Sequence, residues 1–136
     1  LEQKMAPWTR PIFDELREYF TSREISMMID EGIIEICPLA YMRGRTFKNA
    51  FILADEMQNA TPNQMKMLLT RIGERSKMVV TGDLAQADRV SDNGLVTFVD
   101  NLQYHDSTCI DLVRFYMNDI ERHHAVKEVL KIYGDM

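Results

Sequence analysis

Four short apolar runs alternate with segments of helical spacing along this sequence. The runs are 33–37 (IIEIC), 50–54 (AFILA), 77–81 (KMVVT) and about 112–116 (LVRFY), and turn-forming or polar residues bound each of them. Runs of this length and composition are typical of buried strands. Strands that alternate with helices indicate a mostly parallel sheet covered by helices, with right-handed crossovers. The sequence therefore predicts an α/β fold.

The segments around these runs carry the apolar spacing of amphipathic helices. Residues 8–31 fit two short helices, and single helices are expected over 62–72, 94–104 and 119–133. Thr21 or Ser22 is expected to cap the second of the first two helices, with Glu24 in its first turn. Gly32 is expected to end that helix, and Asp119 to cap the last one.

Length and composition limit the class of protein. A chain of 136 residues suits one compact domain with a single hydrophobic core. A hydrophobic share of 46% and a charged share of 27% are those of a soluble globular protein. The net charge of −5 gives no support to nucleic-acid binding, which usually needs a basic patch.

Signals for compartment and processing are few. No apolar run approaches the ~20 residues that span a bilayer, and the start of the chain lacks the pattern of a signal peptide. Cys37 and Cys109 lie in apolar surroundings, so we expect buried free thiols rather than a disulfide. These features predict a cytoplasmic protein that no membrane anchors. The start at Leu1 and the end just after a helical pattern lead us to expect part of a longer protein.

Two adjacent carboxylates directly follow the second apolar run. The run Phe51 to Ala54 is succeeded by Asp55 and Glu56. In a Walker B motif, the first carboxylate holds hydrated Mg²⁺ and the second activates the attacking water as general base. Asp55 and Glu56 match these two roles. The alternative is that Asp55 caps the next helix or begins a solvated turn, because short motifs of this kind often occur by chance.

The third apolar run ends in a second polar group. Gly82 lets the chain turn, and Asp83 and Gln86 follow it in the pattern GDxxQ. Because the carboxyl ends of parallel strands share one edge of a sheet, we expect this group at the same edge as Asp55. The spacing lets Gln86 sense a γ-phosphate through its amide hydrogen bonds. The alternative is a simple strand-to-turn connection in which Asp83 caps a helix.

These motifs and their surroundings resemble PhoH-like ATPases, which are similar in turn to the cores of superfamily 1 helicases. The stretch RGRTFKNAFILADEMQNATPNQMKMLLTRIGERSKMVVTGDLAQ, from Arg43 to Gln86, carries the resemblance. It extends to PWTRPIFDEL upstream, PLAYMRGRT before the Walker B strand and DIERHHAVKEVLKIY at the end. The pair DEMQN and GDLAQAD, with LTRIG between them, makes the match specific. Nearly the whole chain is covered.

The resemblance implies a RecA-like P-loop NTPase core, a parallel sheet flanked by helices that hydrolyses ATP with Mg²⁺. It implies that Asp55 binds the metal, that Glu56 is the base, and that Asp83 and Gln86 contact the nucleotide. It also implies a homo-oligomeric ring, with a hexamer among the arrangements, and coupling to RNA or single-stranded DNA. The family's Gly-rich loop ending in Gly-Lys-Thr or Gly-Lys-Ser has no match here. We therefore expect residues 1–136 to be a partial PhoH-like P-loop ATPase domain, without the Walker A strand and loop and inactive alone.

Four arginines are candidates to complete such a site. Arg71, after the helix that follows Glu56, is a candidate to reach the γ-phosphate of a neighbouring subunit. Arg122, in DIERHH, resembles the family's nucleotide-facing arginine. Arg43 and Arg45, in YMRGRT, are candidates to contact nucleic acid or phosphate. For each, the alternative is a surface or ion-paired arginine.

A second class of function stays open. A non-catalytic nucleotide- or nucleic-acid-binding module would keep the same fold without turnover. Glu56 separates the two classes, because an enzyme needs a base and a binding module does not. The presence of Glu56 together with Asp55, Asp83 and Gln86 favours the enzyme.

Overall fold

The computed structural model describes residues 7–88 and 91–135. Its helices are α1 (Arg10–Leu16), α2 (Ser22–Asp30), α3 (Pro62–Leu69), α4 (Gly94–Leu102) and α5 (His124–Tyr133). Its strands are β1 (Phe51–Ala54) and β2 (Lys77–Val80). A short 3₁₀ turn at Pro7–Thr9 precedes α1, and others at Leu39–Tyr41, Met57–Asn59, Leu84–Gln86 and Met117–Asp119 lie between these elements. The described part of the chain is α/β, as the sequence predicts.

β1 and β2 pair in a two-stranded sheet. The amide of Lys77 donates to the carbonyl of Ala50 at 3.0 Å, and that of Thr81 to the carbonyl of Ala54 at 2.9 Å. The offset between the partners is the same in both contacts, which is the register of a parallel pair. Since α3 connects the strands, they form the expected strand-helix-strand unit. Their carboxyl ends therefore lie at one edge.

Two of the four predicted strands are not formed. Residues 33–37 and 112–116 make no strand pairing within the described part of the chain. A strand is held by hydrogen bonds to a neighbouring strand, and neither run has such a neighbour among residues 7–88 and 91–135. Apolar side chains of both runs are exposed, for example Ile33 and Phe115, and so is Phe51 in the paired strand β1. An apolar run can form a strand, but it does so only where a neighbouring strand is present to pair with it.

The chain divides into two compact units, Leu1–Phe51 with Met67–Lys77 and Ile52–Lys66 with Met78–Met136. In the first unit the described buried apolar side chains are Phe13, Ile25, Met42 and Leu68. In the second they are Ala54, Met57, Ala60, Met65 and Val99. Each unit thus contains buried apolar side chains.

The predicted signals at both ends of α2 are confirmed. The amide of Glu24 donates to Thr21 Oγ1 at 3.1 Å, and the amide of Thr21 donates to Glu24 Oε1 at 3.2 Å. This reciprocal capping box satisfies two amides that the first helical turn leaves free. Gly32 follows the helix at φ 76°, a left-handed conformation that glycine adopts without steric cost.

The prediction for the start of the last helix is wrong. α5 begins at His124 rather than at 119, and its cap is His123, whose Nδ1 accepts a hydrogen bond from the amide of Ala125 at 3.1 Å. The carboxylate of Asp119 instead accepts from the amide of Tyr116 at 2.7 Å. Asp119 therefore closes the preceding turn. α3 and α4 end at Leu69 and Leu102 rather than at 72 and 104.

The expectations about the thiols and about membrane spans can be compared with the structure. Cys37 and Cys109 are free thiols, as expected, but the expectation that both are buried is wrong because Cys109 is exposed. Within the described residues, every helix is too short or too polar to cross a membrane.

Candidate functional site

The chain turns sharply at the end of β1. Glu56 has φ 58° and ψ 48°, a left-handed conformation that costs a residue with a side chain about 1 kcal/mol or more. Its amide donates to Thr81 Oγ1 at 3.3 Å, and the amide of Met57 donates to the carbonyl of Thr81 at 2.9 Å. The end of β2 thus holds the turn in place. Strained backbone of this kind is concentrated at functional sites.

Asp55 is fixed by the same threonine. The Thr81 hydroxyl donates to Asp55 Oδ1 at 2.5 Å, while its oxygen accepts the amide of Glu56. Asp55 is half-buried and caps neither the following 3₁₀ turn nor a helix. Within the described residues no hydrogen bond reaches Asp55 Oδ2. One carboxylate oxygen is therefore anchored, and the other is open to a ligand.

Gln58 joins the two strand ends through its side-chain amide. This residue is buried, with 6% of its surface exposed. Its Nε2 donates to Glu56 Oε2 at 2.6 Å, and its Oε1 accepts from the amide of Asp83 at 3.2 Å. Gly82 allows the close approach, because a Cβ there would lie 2.6 Å from Leu95 Cδ2 and 3.4 Å from Gln58 Oε1. Both polar ends of the amide are thus satisfied.

Asn93 supports the turn from the side of α4. It is 4% exposed, and its Nδ2 donates to the carbonyl of Gln58 at 2.5 Å. Its Oδ1 accepts from the amides of Leu95 and Val96 at 3.0 and 3.2 Å, which caps α4. One buried side chain therefore fixes both the start of α4 and the backbone that carries Gln58.

Asp83 and Gln86 are bonded to each other. Asp83 Oδ1 accepts from the amide of Ala85 at 3.0 Å, and Oδ2 accepts from Gln86 Nε2 at 2.8 Å. Asp83 thus caps the 3₁₀ turn Leu84–Gln86, which is the structural role that the sequence left open as an alternative. Both side chains are exposed. The amide of Gln86 is directed at Asp83 in this conformation.

The structure brings together the polar residues at the ends of both strands. Thr81 and Gln58 link Asp55 and Glu56 to the loop that begins at Asp83. Sequence reasoning did not assign Thr81, Gln58 or Asn93. The available signal was the presence of polar side chains between buried apolar positions, as in DEMQN, which indicates polar groups with internal partners.

Arg43, Arg45 and Arg71 belong to the compact unit of Leu1–Phe51 and Met67–Lys77. Arg45 donates to Glu35 through both terminal nitrogens, at 2.5 and 3.1 Å, and its guanidinium lies 4.7 Å from the centre of the Phe47 ring. This hydrogen-bonded pair holds the pKa of the Glu35 carboxyl below its ordinary value. Arg43 is exposed. Arg45 thus has the ion-paired arrangement that the sequence left open as an alternative.

The remaining two arginines differ in burial. Arg71, in the same unit as Arg45, is half-buried, and its Nη2 donates to Thr70 Oγ1 at 3.1 Å. Its Nε is buried and has no hydrogen-bond partner among the described residues. Arg122 is exposed in the segment before α5, and no hydrogen bond or ion pair joins it to Asp55 or Glu56 within the described part of the chain. Within the described residues, Arg122 is therefore not part of the linked cluster at the strand ends.

Comparison with known proteins identifies the family. Residues 1–134 match the family described as PhoH-like protein. The PhoH-like protein of Bacillus subtilis (strain 168) is 40% identical over 135 residues, which are 98% of this chain and 42% of that protein. The PhoH-like protein of Synechocystis sp. is 41% identical over 133 residues, 98% of this chain and 40% of its own.

A more distant relative gives the same result. Protein PhoH of Escherichia coli (strain K12) is 37% identical over 138 residues, 98% of this chain and 38% of that protein. The chain spans about two fifths of the length of these curated relatives. Family and relatives agree over nearly the full chain, and we conclude that it belongs to the PhoH-like protein family.

Proposed function

We propose that this chain carries the hydrolytic part of an ATPase site, at the edge where β1 and β2 end. The observation that carries the proposal is the hydrogen-bonded cluster of Asp55, Glu56, Thr81, Gln58 and Asp83. In open α/β sheets, ligands bind outside the carboxyl ends of the strands. A pair of carboxylates with different surroundings, one half-buried and anchored and one exposed, suits two different chemical roles.

Asp55 is the proposed Mg²⁺ ligand. Mg²⁺ prefers oxygen ligands and is commonly bound by one or two carboxylates, with waters and substrate phosphates completing its shell. The open Oδ2 of Asp55 fits this requirement. Among residues 7–88 and 91–135 no three His, Cys, Asp or Glu side chains form a metal cage. When bound, the ion would neutralise charge that develops on the phosphates.

Glu56 is the proposed general base. In the reaction ATP + H₂O → ADP + phosphate, the water oxygen bonds to the γ-phosphorus as the bond to the β–γ bridging oxygen breaks. The carboxylate of Glu56 accepts the proton that the water loses. Its side chain is exposed, and one oxygen is oriented by Gln58, which leaves the other to face the water. The left-handed backbone conformation of Glu56 sets the direction in which its side chain leaves the main chain.

Asp83 and Gln86 are the proposed nucleotide contacts on the neighbouring loop. Rotation of the Gln86 side chain away from Asp83 would direct its amide to the γ-phosphate. Arg71 of a neighbouring subunit and Arg122 are the proposed arginines that stabilise the transferred phosphoryl group, in a homo-oligomeric ring. For RNA or single-stranded DNA, Arg43 is the better candidate, because Glu35 already engages Arg45.

The proposed core is RecA-like, and its phosphate-binding loop comes from another segment of the protein. No Gly-Lys-Thr or Gly-Lys-Ser loop is present in residues 1–136. The exposed run 112–116 supports this proposal, since it has the composition of a strand and lacks a partner among the described residues. A further strand beside it would pair with its backbone, and helices that cover the faces of the larger sheet would bury its apolar side chains.

One observation favours a non-catalytic nucleotide- or nucleic-acid-binding module instead. Asp83 and Gln86 bond to each other and cap a turn, which is a sufficient structural reason for both residues. In that case Glu56 would have no chemical role. The two functions differ in what removal of the Glu56 carboxylate does to turnover.

The test uses a chimera of the Bacillus subtilis PhoH-like protein in which residues 1–136 replace the matching segment. We expect Mg²⁺-dependent ATP hydrolysis, and we expect Glu56→Gln to lower kcat by about 100-fold or more, because a general base contributes this much. ATP should still bind with similar affinity. Glu128→Gln, at an exposed glutamate of α5, is the matched control and should leave kcat unchanged.

Two results would contradict the proposal. A folded chimera that binds ATP and does not hydrolyse it would support the non-catalytic module. Hydrolysis that Glu56→Gln leaves intact would show that Glu56 is not the base. Circular dichroism and thermal unfolding of each variant establish that it is folded before either result is interpreted.

A further inference from the structure

We propose that Gln58 is a positioning residue for Glu56, and that its side-chain amide makes the orientation of Glu56 depend on the loop Gly82–Gln86. This inference rests on the proposed function, in which Glu56 is the base. Gln58 itself would touch neither water nor nucleotide.

The contacts of the amide define its role. Nε2 donates to the Glu56 carboxylate at 2.6 Å, and Oε1 accepts from the Asp83 amide at 3.2 Å. An amide group is planar and has its donor and acceptor on opposite atoms. A shift of the Asp83 amide therefore rotates the whole group, and the donor to Glu56 moves with it. A hydrogen bond to a carboxylate is among the stronger ones, so Glu56 follows.

The rest of Gln58 is held still. Asn93 donates to its carbonyl at 2.5 Å, and Asn93 is itself buried and bonded to the start of α4. The backbone of Glu56 is fixed by its amide contact to Thr81. The side chains of Gln58 and Glu56 are consequently the parts that can respond to the loop.

A continuous path leads from Gln86 to the base. Gln86 donates to Asp83 at 2.8 Å, the Asp83 amide donates to Gln58, and Gln58 donates to Glu56. If Gln86 leaves Asp83 for a γ-phosphate, Asp83 loses one of the two contacts of its carboxylate. The loop then shifts, and Gln58 transmits the shift to Glu56. The path links recognition of the phosphate to the orientation of the base.

The first experiment measures kinetics of Gln58→Glu in the chimera. The introduced carboxyl has the size of the amide but cannot donate to Glu56 when ionised. We expect kcat at pH 8 to fall about 100-fold, with KM for ATP changed less than about 3-fold, because misplacement of a catalytic group mainly affects kcat. The acidic groups at this edge, Asp55, Glu56 and Asp83, all favour protonation of the introduced carboxyl. The protonated carboxyl can donate to Glu56 again, so part of kcat should return as the pH is lowered.

Gln103→Glu is the matched control, since Gln103 is an exposed glutamine beyond α4. It should leave kcat and its pH profile unchanged. Loss of the same size at every pH in Gln58→Glu would mean that the amide only packs, and unchanged kcat would mean that it has no role. Either result overturns the proposal.

A second measurement does not depend on activity, so failure of the ATPase proposal can be told apart from failure of this one. Glu56→Leu removes the partner of Gln58 Nε2. We expect hydrogen–deuterium exchange of the segment 82–88 in the chimera to rise about fivefold, as expected for one weakened hydrogen bond at Asp83. Glu128→Leu is the control. Exchange that Glu56→Leu leaves unchanged would show that the path from Glu56 to the loop does not exist.

Discussion

The ends of β1 and β2 differ sharply in burial from the run 112–116, although sequence patterns assign strands to both regions. In the turn after β1 and at the cap of α4, the polar side chains of Gln58 and Asn93 are 6% and 4% exposed. In the run, Val113 and Phe115 are 72% and 82% exposed. The first region has a parallel partner strand, and the second has none among the described residues. Pairing alone does not bury a side chain, since Phe51 in the paired strand β1 is 69% exposed. The buried side chains of Gln58 and Asn93 lie at the contact between the turn after β1 and the start of α4.

The comparison extends to energetics. A buried polar group destabilises the protein unless it is hydrogen-bonded. Each buried polar group at the strand ends therefore requires a partner. The side chains of Thr81, Gln58 and Asn93 form such hydrogen bonds with Asp55, Asp83 and the carbonyl of Gln58, respectively. The side chains of the run 112–116 are exposed and contribute little stabilisation of this kind.

The largest expected effect is at the start of α4. A Cβ on Gly94 would collide with the carbonyl of Thr61 and lie 2.7 Å from Met65 Cγ. We expect Gly94→Val to lower the free energy of unfolding by about 3 kcal/mol, since backbone cannot move aside cheaply. Chemical denaturation measures the change. Thr97→Val, at an exposed position of the same helix, is the control, and an equal effect of both would contradict the close packing of α4 on this turn.

The smallest expected effect is in the unpaired run. Phe115→Ser in the 136-residue chain should change the free energy of unfolding by less than about 0.5 kcal/mol, because Phe115 is already exposed. In the chimera, where we propose that the run joins a larger sheet whose faces helices cover, the same change should cost about 2 kcal/mol. Equal effects in both proteins would contradict the proposed RecA-like core.

Local features were predictable from the sequence, and long-range contacts were not. The capping box of Thr21 and Glu24 spans three residues, so pattern alone identifies it. Asp55 and Glu56 were placed correctly at the end of β1 because the strand immediately precedes them. The contact of Asn93 with Gln58 joins residues 35 apart, and that of Gln58 with Asp83 joins residues 25 apart. No local pattern encodes such pairs.

The incorrect predictions have the same origin. The run 33–37 and the run 112–116 have strand composition, but only the fold determines whether a partner is present. Asp119 is of a residue type that often caps helices, but its carboxylate accepts a hydrogen bond from the amide of Tyr116 instead. Its place at the start of α5 is then taken by His123, a residue that capping preferences do not favour.

The central claim is that the ends of β1 and β2 form a single hydrogen-bonded unit, and the contact between Asp55 and Thr81 tests it most directly. A double-mutant cycle would compare Asp55→Ala, Thr81→Val and the double variant by denaturant unfolding. We predict a coupling energy of about 1.5 kcal/mol, as expected for a hydrogen bond to a charged group. Effects that add to within about 0.3 kcal/mol would show that the two strand ends are independent, and would contradict the account.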